Sequence, residues 1–249
     1  MAAKANELMM ESKMGSTHNI QTFDHEGTFS AYVAAPEGTP KAAIIVIQEI
    51  FGVNPGIRQK CDGWAGQGYL AVAPDLFWRI KPGLELDPDV EAELQEAFGY
   101  FGQYDTNDGV QDIEATIRAI RAGIGGLGGV AKVGAVGYCL GGKLAYMVAA
   151  RTDIDASVGY YGVMIDQMLD ESHAIANPLM LHIPTADHLV GPEAQAAVHA
   201  GLDSHPRVTL HDYEGLDHGF AAEMGNRRDE AGAQLADGRT AAFFAEHLA

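Results

Sequence analysis

Four short, uninterrupted apolar runs punctuate the chain: residues 42–47 (AAIIVI), 69–73 (YLAVA), 133–138 (VGAVGY) and 179–183 (LMLHI). Runs of this length predict parallel strands buried on both faces. Between them lie helical patterns at 55–67, 88–104, 107–122, 141–150 and 192–204. The third carries Val110, Ile113, Ile117 and Ile120 at three- and four-residue spacing, an amphipathic stripe with Asn107 or Asp108 as its cap. Ahead of the first run, Ile20 and Thr22, then Phe29, Ala31 and Val33, flank the turn-forming segment 24–27, which predicts an antiparallel edge hairpin over 19–36. A last strand at 208–213 and a helix at 229–248 complete the pattern. Strand followed by helix, repeated, predicts an α/β protein with a mostly parallel sheet covered on both faces. A tail over 1–18 and a single domain over 19–249 follow from the same pattern.

Charge narrows the functional classes. With 16 Lys and Arg against 34 Asp and Glu, the net charge is −18. Phosphate backbones and anionic membrane surfaces need clustered cations, so neither nucleic acid nor a membrane is expected as a partner. No run approaches the length of a membrane span. Two cysteines, Cys61 and Cys139, are too few for a disulfide scaffold or a closed zinc site, and point to a reducing, cytoplasmic setting.

Two glycine-rich segments call for opposite readings. Residues 123–129 (GIGGLGG) contain G-x-G-x-x-G, but they follow a helix and precede a strand, the reverse of the order a dinucleotide site requires. They read as a helix stop and loop, and no cofactor is expected. Residues 137–142 (GYCLGG) match G-x-S-x-G with cysteine in place of serine, between a strand and a helix. A side chain thrust out of such a turn needs tiny neighbours two residues before and after, which Gly137 and Gly141 supply. An isolated cysteine is more often apolar filler. This frame marks Cys139 as a nucleophile, with a helix N-terminus behind the sulfur and the Leu140 N–H facing a developing oxyanion. Cys61 has no such frame and reads as packing.

A nucleophile elbow predicts an acid after a later strand and a histidine after the last. Asp187 follows the run at 179–183, and His218 follows the strand at 208–213. Asp75 precedes the elbow and reads as a solvated loop residue or cap; Asp217 adjoins the histidine too closely to orient it. The remaining histidines show no tight ligand spacing, so no metal site is expected. Glu49 lies just beyond the first run, where catalytic groups collect in an open α/β sheet, the alternative being a carboxylate paired on a loop.

Together, residues 48–54 (QEIFGVN), 73–77 (APDLF), 136–142 (VGYCLGG), 158–162 (VGYYG), Asp187-His188 and 217–220 (DHGF) resemble the dienelactone hydrolase family, a branch of the α/β-hydrolases, over nearly the whole chain from residue 19. The resemblance implies attack by Cys139 on a lactone or ester carbonyl through a thioester, with His218 as proton shuttle, Asp187 behind it and Glu49 assisting thiolate formation. It further implies an oxyanion hole from the Ile50 and Leu140 N–H groups. Arg79, Phe51, Tyr138 and Tyr161 would bind the substrate, Arg79 by holding its carboxylate. A surface ion pair of Arg79 with one of the many acids, such as Glu85 or Asp87, is the plainer reading of that arginine. The chain departs from the family pattern at Ala222, where a second anion-binding arginine is expected, with Arg227 and Arg228 as nearby cations. A broader carboxylesterase or thioesterase is the alternative enzyme, and a noncatalytic binding or thiol-redox protein the alternative class. The expected assembly is a monomer or small homo-oligomer.

Overall fold

β-Branched and small apolar residues dominate the centre of the sheet, where no side chain can reach water. In the computed structural model, which describes residues 15–249, such residues form β3 (Ala43–Ile47), β4 (Leu70–Pro74), β5 (Val133–Tyr138) and β6 (Ala156–Tyr160), each buried along its whole length. β1 (Ser16–Gln21) and β2 (Thr28–Ala34) make the antiparallel hairpin, and β7 (Leu179–Pro184) and β8 (Val208–Tyr213) close the far side. The eight strands run in the order β1-β2-β4-β3-β5-β6-β7-β8, parallel from β4 to β8.

Among the described residues there are six α-helices: α1 (Pro55–Gly66), α2 (Glu91–Phe101), α3 (Thr106–Ala122), α4 (Leu140–Arg151), α5 (Pro192–Leu202) and α6 (Glu230–His247). One apolar layer joins α3 and α4 to one sheet face through Ile113, Ile117, Ile120 and Leu144. The other packs Trp64 of α1 and Phe244 of α6 on the opposite face, their rings 5.4 Å apart.

The fold departs from the sequence reading at its less apolar elements. β6 was not expected as a strand, because Ser157 and Gly159 interrupt a short run; short 3₁₀ turns broken by a kink at Met168 follow it within Ile165–Ala174. β1 takes in residues 16–18, assigned above to the tail, while residues 1–14 of that tail lie outside the described residues. The cap of α3 is Asp105, whose carboxylate accepts the Asn107 N–H, rather than Asn107 or Asp108. The glycine-rich stretch begins with Gly123 at φ 93°, the left-handed residue that ends α3.

Register decides what comes next. Ile47 pairs with Gly137, Tyr138 with Tyr160, and Pro184 with Tyr213, so β3, β5, β6, β7 and β8 end along one edge of the sheet. Glu49, Cys139, Tyr161, Asp187 and His218 all emerge there.

Candidate active site

The elbow is built from glycine. Cys139 sits at φ 55°, ψ −113°, a conformation that costs a non-glycine residue strain and turns its side chain out of the sheet. The turn is pinned by the Cys139 N–H donating to Tyr160 O at 3.0 Å and by the Lys143 N–H donating to Cys139 O at 3.1 Å. A Cβ on Gly137 would collide with the carbonyl of Gly141, and one on Gly141 with the carbonyl of Ile47. Leu140 begins α4, so its N–H has no carbonyl to bond within the helix.

His218 and Asp187 meet behind the elbow. The His218 Nδ1 lies 2.9 and 3.1 Å from the two Asp187 oxygens, with both side chains almost wholly buried. Asp187 is itself held by the N–H groups of Leu189 and Val190, at 2.8 and 3.1 Å. The other ring nitrogen, Nε2, has no hydrogen-bond partner. Burial works against the charged imidazole, but the negative Cys139 sulfur and the Asp187 carboxylate outweigh it and raise His218 to about 10.

Glu49 stands on the opposite side, in a two-pronged ion pair with Arg227: Nη2 to Oε2 at 3.1 Å and Nη1 to Oε1 at 3.2 Å. Its loop is fixed by Gln48, which accepts the Leu76 N–H and donates to the Glu49 carbonyl. The Arg227 guanidinium lies 5.4 Å from the Phe51 ring centre, and its Nε is buried without a partner. Burial opposes its charge, while Glu49, Tyr161 and Cys139 raise its pKa. Tyr161, at φ 39°, sets its ring edge on His218 at 4.9 Å and buries an unpaired hydroxyl. Glu49, Tyr161 and the smaller wall residues Gly56 and Ala222 line a narrow cleft, with Tyr138 and Lys60 also on it.

Of the residues singled out from sequence, Cys139, Asp187, His218, Glu49, Ile50, Leu140, Phe51, Tyr138 and Tyr161 gather at this edge of the sheet. Arg79 does not join them. It holds Asp112 of α3 with Nη1 at 2.5 Å and Nη2 at 3.1 Å and stacks on Trp78, not on Glu85 or Asp87; Glu85 is taken by Arg58. Arg228 binds Glu223 and Glu230, so Arg227 alone of that pair reaches Glu49. Asp75, read above as solvated, is buried and accepts the N–H groups of Phe77 and Gly83.

Sequence reasoning passed over one element of the site. Asp217 Oδ1 accepts the His218 N–H at 2.6 Å, the His188 N–H at 2.9 Å and the His188 ring at 2.8 Å, which ties the acid-bearing loop to the histidine-bearing loop. Asp187, His188 and Asp217 place ligand atoms within 4.8 Å of one another, although Asp187 is already committed to His218. The adjacency of Asp-His in both loops was the available signal.

The fold and the residues along its edge define an α/β-hydrolase. A family model, the dienelactone hydrolase family, matches residues 29–248, and the chain belongs to that family of hydrolases. A relative in Azospirillum brasilense is 44% identical over 90% of this chain and 95% of its own length. The carboxymethylenebutenolidase of Pseudomonas putida is 38% identical over 91% and 94%. A solved structure from Klebsiella pneumoniae superposes with a TM-score of 0.80 at 23% identity, covering 93% of this chain and 98% of that one, a likeness of fold. No helix among the described residues is long and apolar enough to cross a membrane.

Proposed function

We propose that the chain opens small carboxylated lactones, or cleaves equivalent esters, through a thioester on Cys139. The observation that carries this reading is the set of buried polar atoms without partners. Five exist among the described residues, and three of them, His218 Nε2, Tyr161 Oη and Arg227 Nε, belong to side chains electrostatically coupled to Cys139. Each such atom costs about 1–3 kcal/mol when left unpaired. Clustered beside a strained cysteine, they are suited to a ligand that brings acceptors with it.

The chemistry follows from the positions. His218 Nε2 takes the thiol proton, and the sulfur attacks the carbonyl carbon. Negative charge develops on the carbonyl oxygen, toward the N–H groups of Leu140 and Ile50. The intermediate collapses with cleavage of the ring C–O bond, and the imidazolium returns its proton to the departing oxygen. Water, deprotonated by the same imidazole, hydrolyses the thioester and restores the thiol. Asp187 holds the ring in the required tautomer. A substrate carboxylate would compete with Glu49 for Arg227, and the freed Glu49 would assist removal of the thiol proton. Lactone opening by the Pseudomonas putida relative, as its name states, accords with this reading.

The test is a parallel screen of a carboxylated enol lactone, its neutral methyl ester and p-nitrophenyl acetate, with wild type and Cys139→Ala. Turnover of the carboxylated lactone at least about tenfold better in kcat/KM than its neutral ester, abolished by Cys139→Ala, is expected. Preference for neutral esters would make the protein a general esterase, and full activity of Cys139→Ala would overturn the mechanism.

A further inference from the structure

Arginine pairing separates two parts of this acidic molecule. Of nine arginines in the sequence, seven hold a carboxylate within 4.0 Å. The two without one among the described residues, Arg207 and Arg239, line the same groove. In a chain of net charge −18, acids are abundant near almost any surface cation, so two unneutralised guanidinium groups facing one cavity are unusual.

The groove, about 460 Å³, runs between α6 and the edge strand β8. Arg207 precedes β8, and Arg239 extends from α6 with its guanidinium 5.3 Å from the Tyr213 ring centre. Pro178, Met180 and Phe243 supply apolar walls. His211 forms part of the floor, stacked 5.9 Å from the buried His182. Burial and the Arg239 charge hold His211 below the usual imidazole range, so it contributes a neutral hydrogen-bonding surface at neutral pH. One acid, Glu246, also lines the cavity and leaves the two arginines with a single net positive charge.

We propose that this groove binds a small organic monocarboxylate with a flat apolar body, such as an aromatic or unsaturated acid. The guanidinium forks match a carboxylate, the apolar walls match the body, and Glu246 disfavours a compact dianion such as phosphate. The site is separate from the catalytic edge. Arg207, Pro178 and Met180 lie at the amino ends of β7 and β8 and Arg239 reaches along the face of β8 to Tyr213, and none of Cys139, Asp187, His218, Glu49 or Tyr161 lines the groove. It does not depend on the reaction proposed for Cys139. Because one arginine comes from α6 and the other from the loop before β8, an occupant bridges the two elements and stabilises the folded chain.

The experiment titrates the full-length, isotopically labelled protein with benzoate, benzamide and inorganic phosphate, following backbone amide shifts and melting temperature. Saturable benzoate shifts at Met180, Thr209, His211 and Arg239, a raised melting temperature, and much weaker responses to benzamide and phosphate are expected. Arg207→Ala with Arg239→Ala should weaken benzoate binding at least about tenfold, with p-nitrophenyl ester turnover unchanged in the absence of benzoate. Arg207→Lys with Arg239→Lys, which keeps charge and removes the forks, should recover part of the loss. Shifts confined to residues around Cys139, equal binding by the double alanine variant, or equal response to benzamide would overturn the proposal. So would a dimer seen by sedimentation that dissociates on the double substitution, since the groove would then hold a second copy of this chain.

Discussion

Two arginine–carboxylate pairs in this molecule share chemistry and differ in what they leave open. Arg79 and Asp112 are joined by two hydrogen bonds, stacked on Trp78 at 4.3 Å, and Asp112 accepts a third bond from the Trp78 indole at 2.9 Å. That pair is anchored on the long helix α3, with Asp108 a further 3.8 Å from Arg79 Nε and the guanidinium partly open to water. Arg227 and Glu49 are also joined by two bonds, and the guanidinium likewise faces an aromatic ring, Phe51. Yet Arg227 Nε has no partner, and its charge is coupled to Cys139 and Tyr161. A spare donor sealed away from water leaves Arg227 poised to exchange its carboxylate, whereas the half-exposed Arg79 can satisfy its remaining donors from solvent and serves the scaffold. The substrate-anchoring role that the motif suggested for Arg79 therefore passes, in our proposal, to Arg227, which lies nearer the vacancy left by Ala222.

The largest expected effect tests whether the reactive end is where this comparison puts it. Cys139→Ala should lower kcat by at least about 10⁴-fold with circular dichroism unchanged, since the elbow backbone is held by Gly137 and Gly141. His218→Ala and Asp187→Asn should each cost about 10²–10⁴-fold, and the double variant little more than the worse single one, because the two act as a unit. Multiplying losses would show the pair to be independent.

Arg227→Ala should raise KM for a carboxylated lactone about tenfold or more and leave a neutral ester nearly unaffected, which kinetics on both substrates would establish. Arg79→Ala should change neither KM by more than about twofold. It should instead lower stability to urea by about 1–3 kcal/mol, because Asp112 would remain buried beside Trp78 without its cation. If Arg79→Ala altered the anionic substrate selectively, the contrast between the pairs would fail.

A smaller effect sharpens the electrostatics. His218 is raised to about 10 partly by the charge of the Cys139 sulfur, so its ring should titrate at a lower pH in Cys139→Ala than in wild type. In wild type, the imidazolium needed to protonate the leaving oxygen is lost as pH climbs through that value, and the alkaline limb of activity should follow it. An unchanged NMR titration of His218 in Cys139→Ala would place the two groups out of electrostatic contact.

Much of the fold was legible in the sequence because the central strands are nearly pure apolar runs, a pattern that survives any tertiary context. β6 was not, since Ser157 and Gly159 give it no periodicity of its own and it becomes a strand by pairing with β5 and β7. At the site, local backbone chemistry and chain order were enough to single out Cys139, Asp187 and His218, which the fold brings to one edge of the sheet. Arg227 could not, because it reaches Glu49 across 178 residues of sequence through a loop whose path only the packed structure shows. Asp112 was equally hidden: a helix carboxylate reads as solvent-facing until its helix docks on the loop that carries Arg79.

The central claim, a thioester on Cys139, is tested most directly by acid-quenching wild-type enzyme within its first turnovers of an activated carboxylated ester and measuring intact mass, followed by peptide mapping. The account predicts one acyl group per 26.5-kDa chain, located on the peptide containing Cys139, accumulating further in His218→Ala if acylation still proceeds, and absent in Cys139→Ala. Substrate turnover with no acylated protein at any quench time, or an acyl group on a residue other than Cys139, would contradict it.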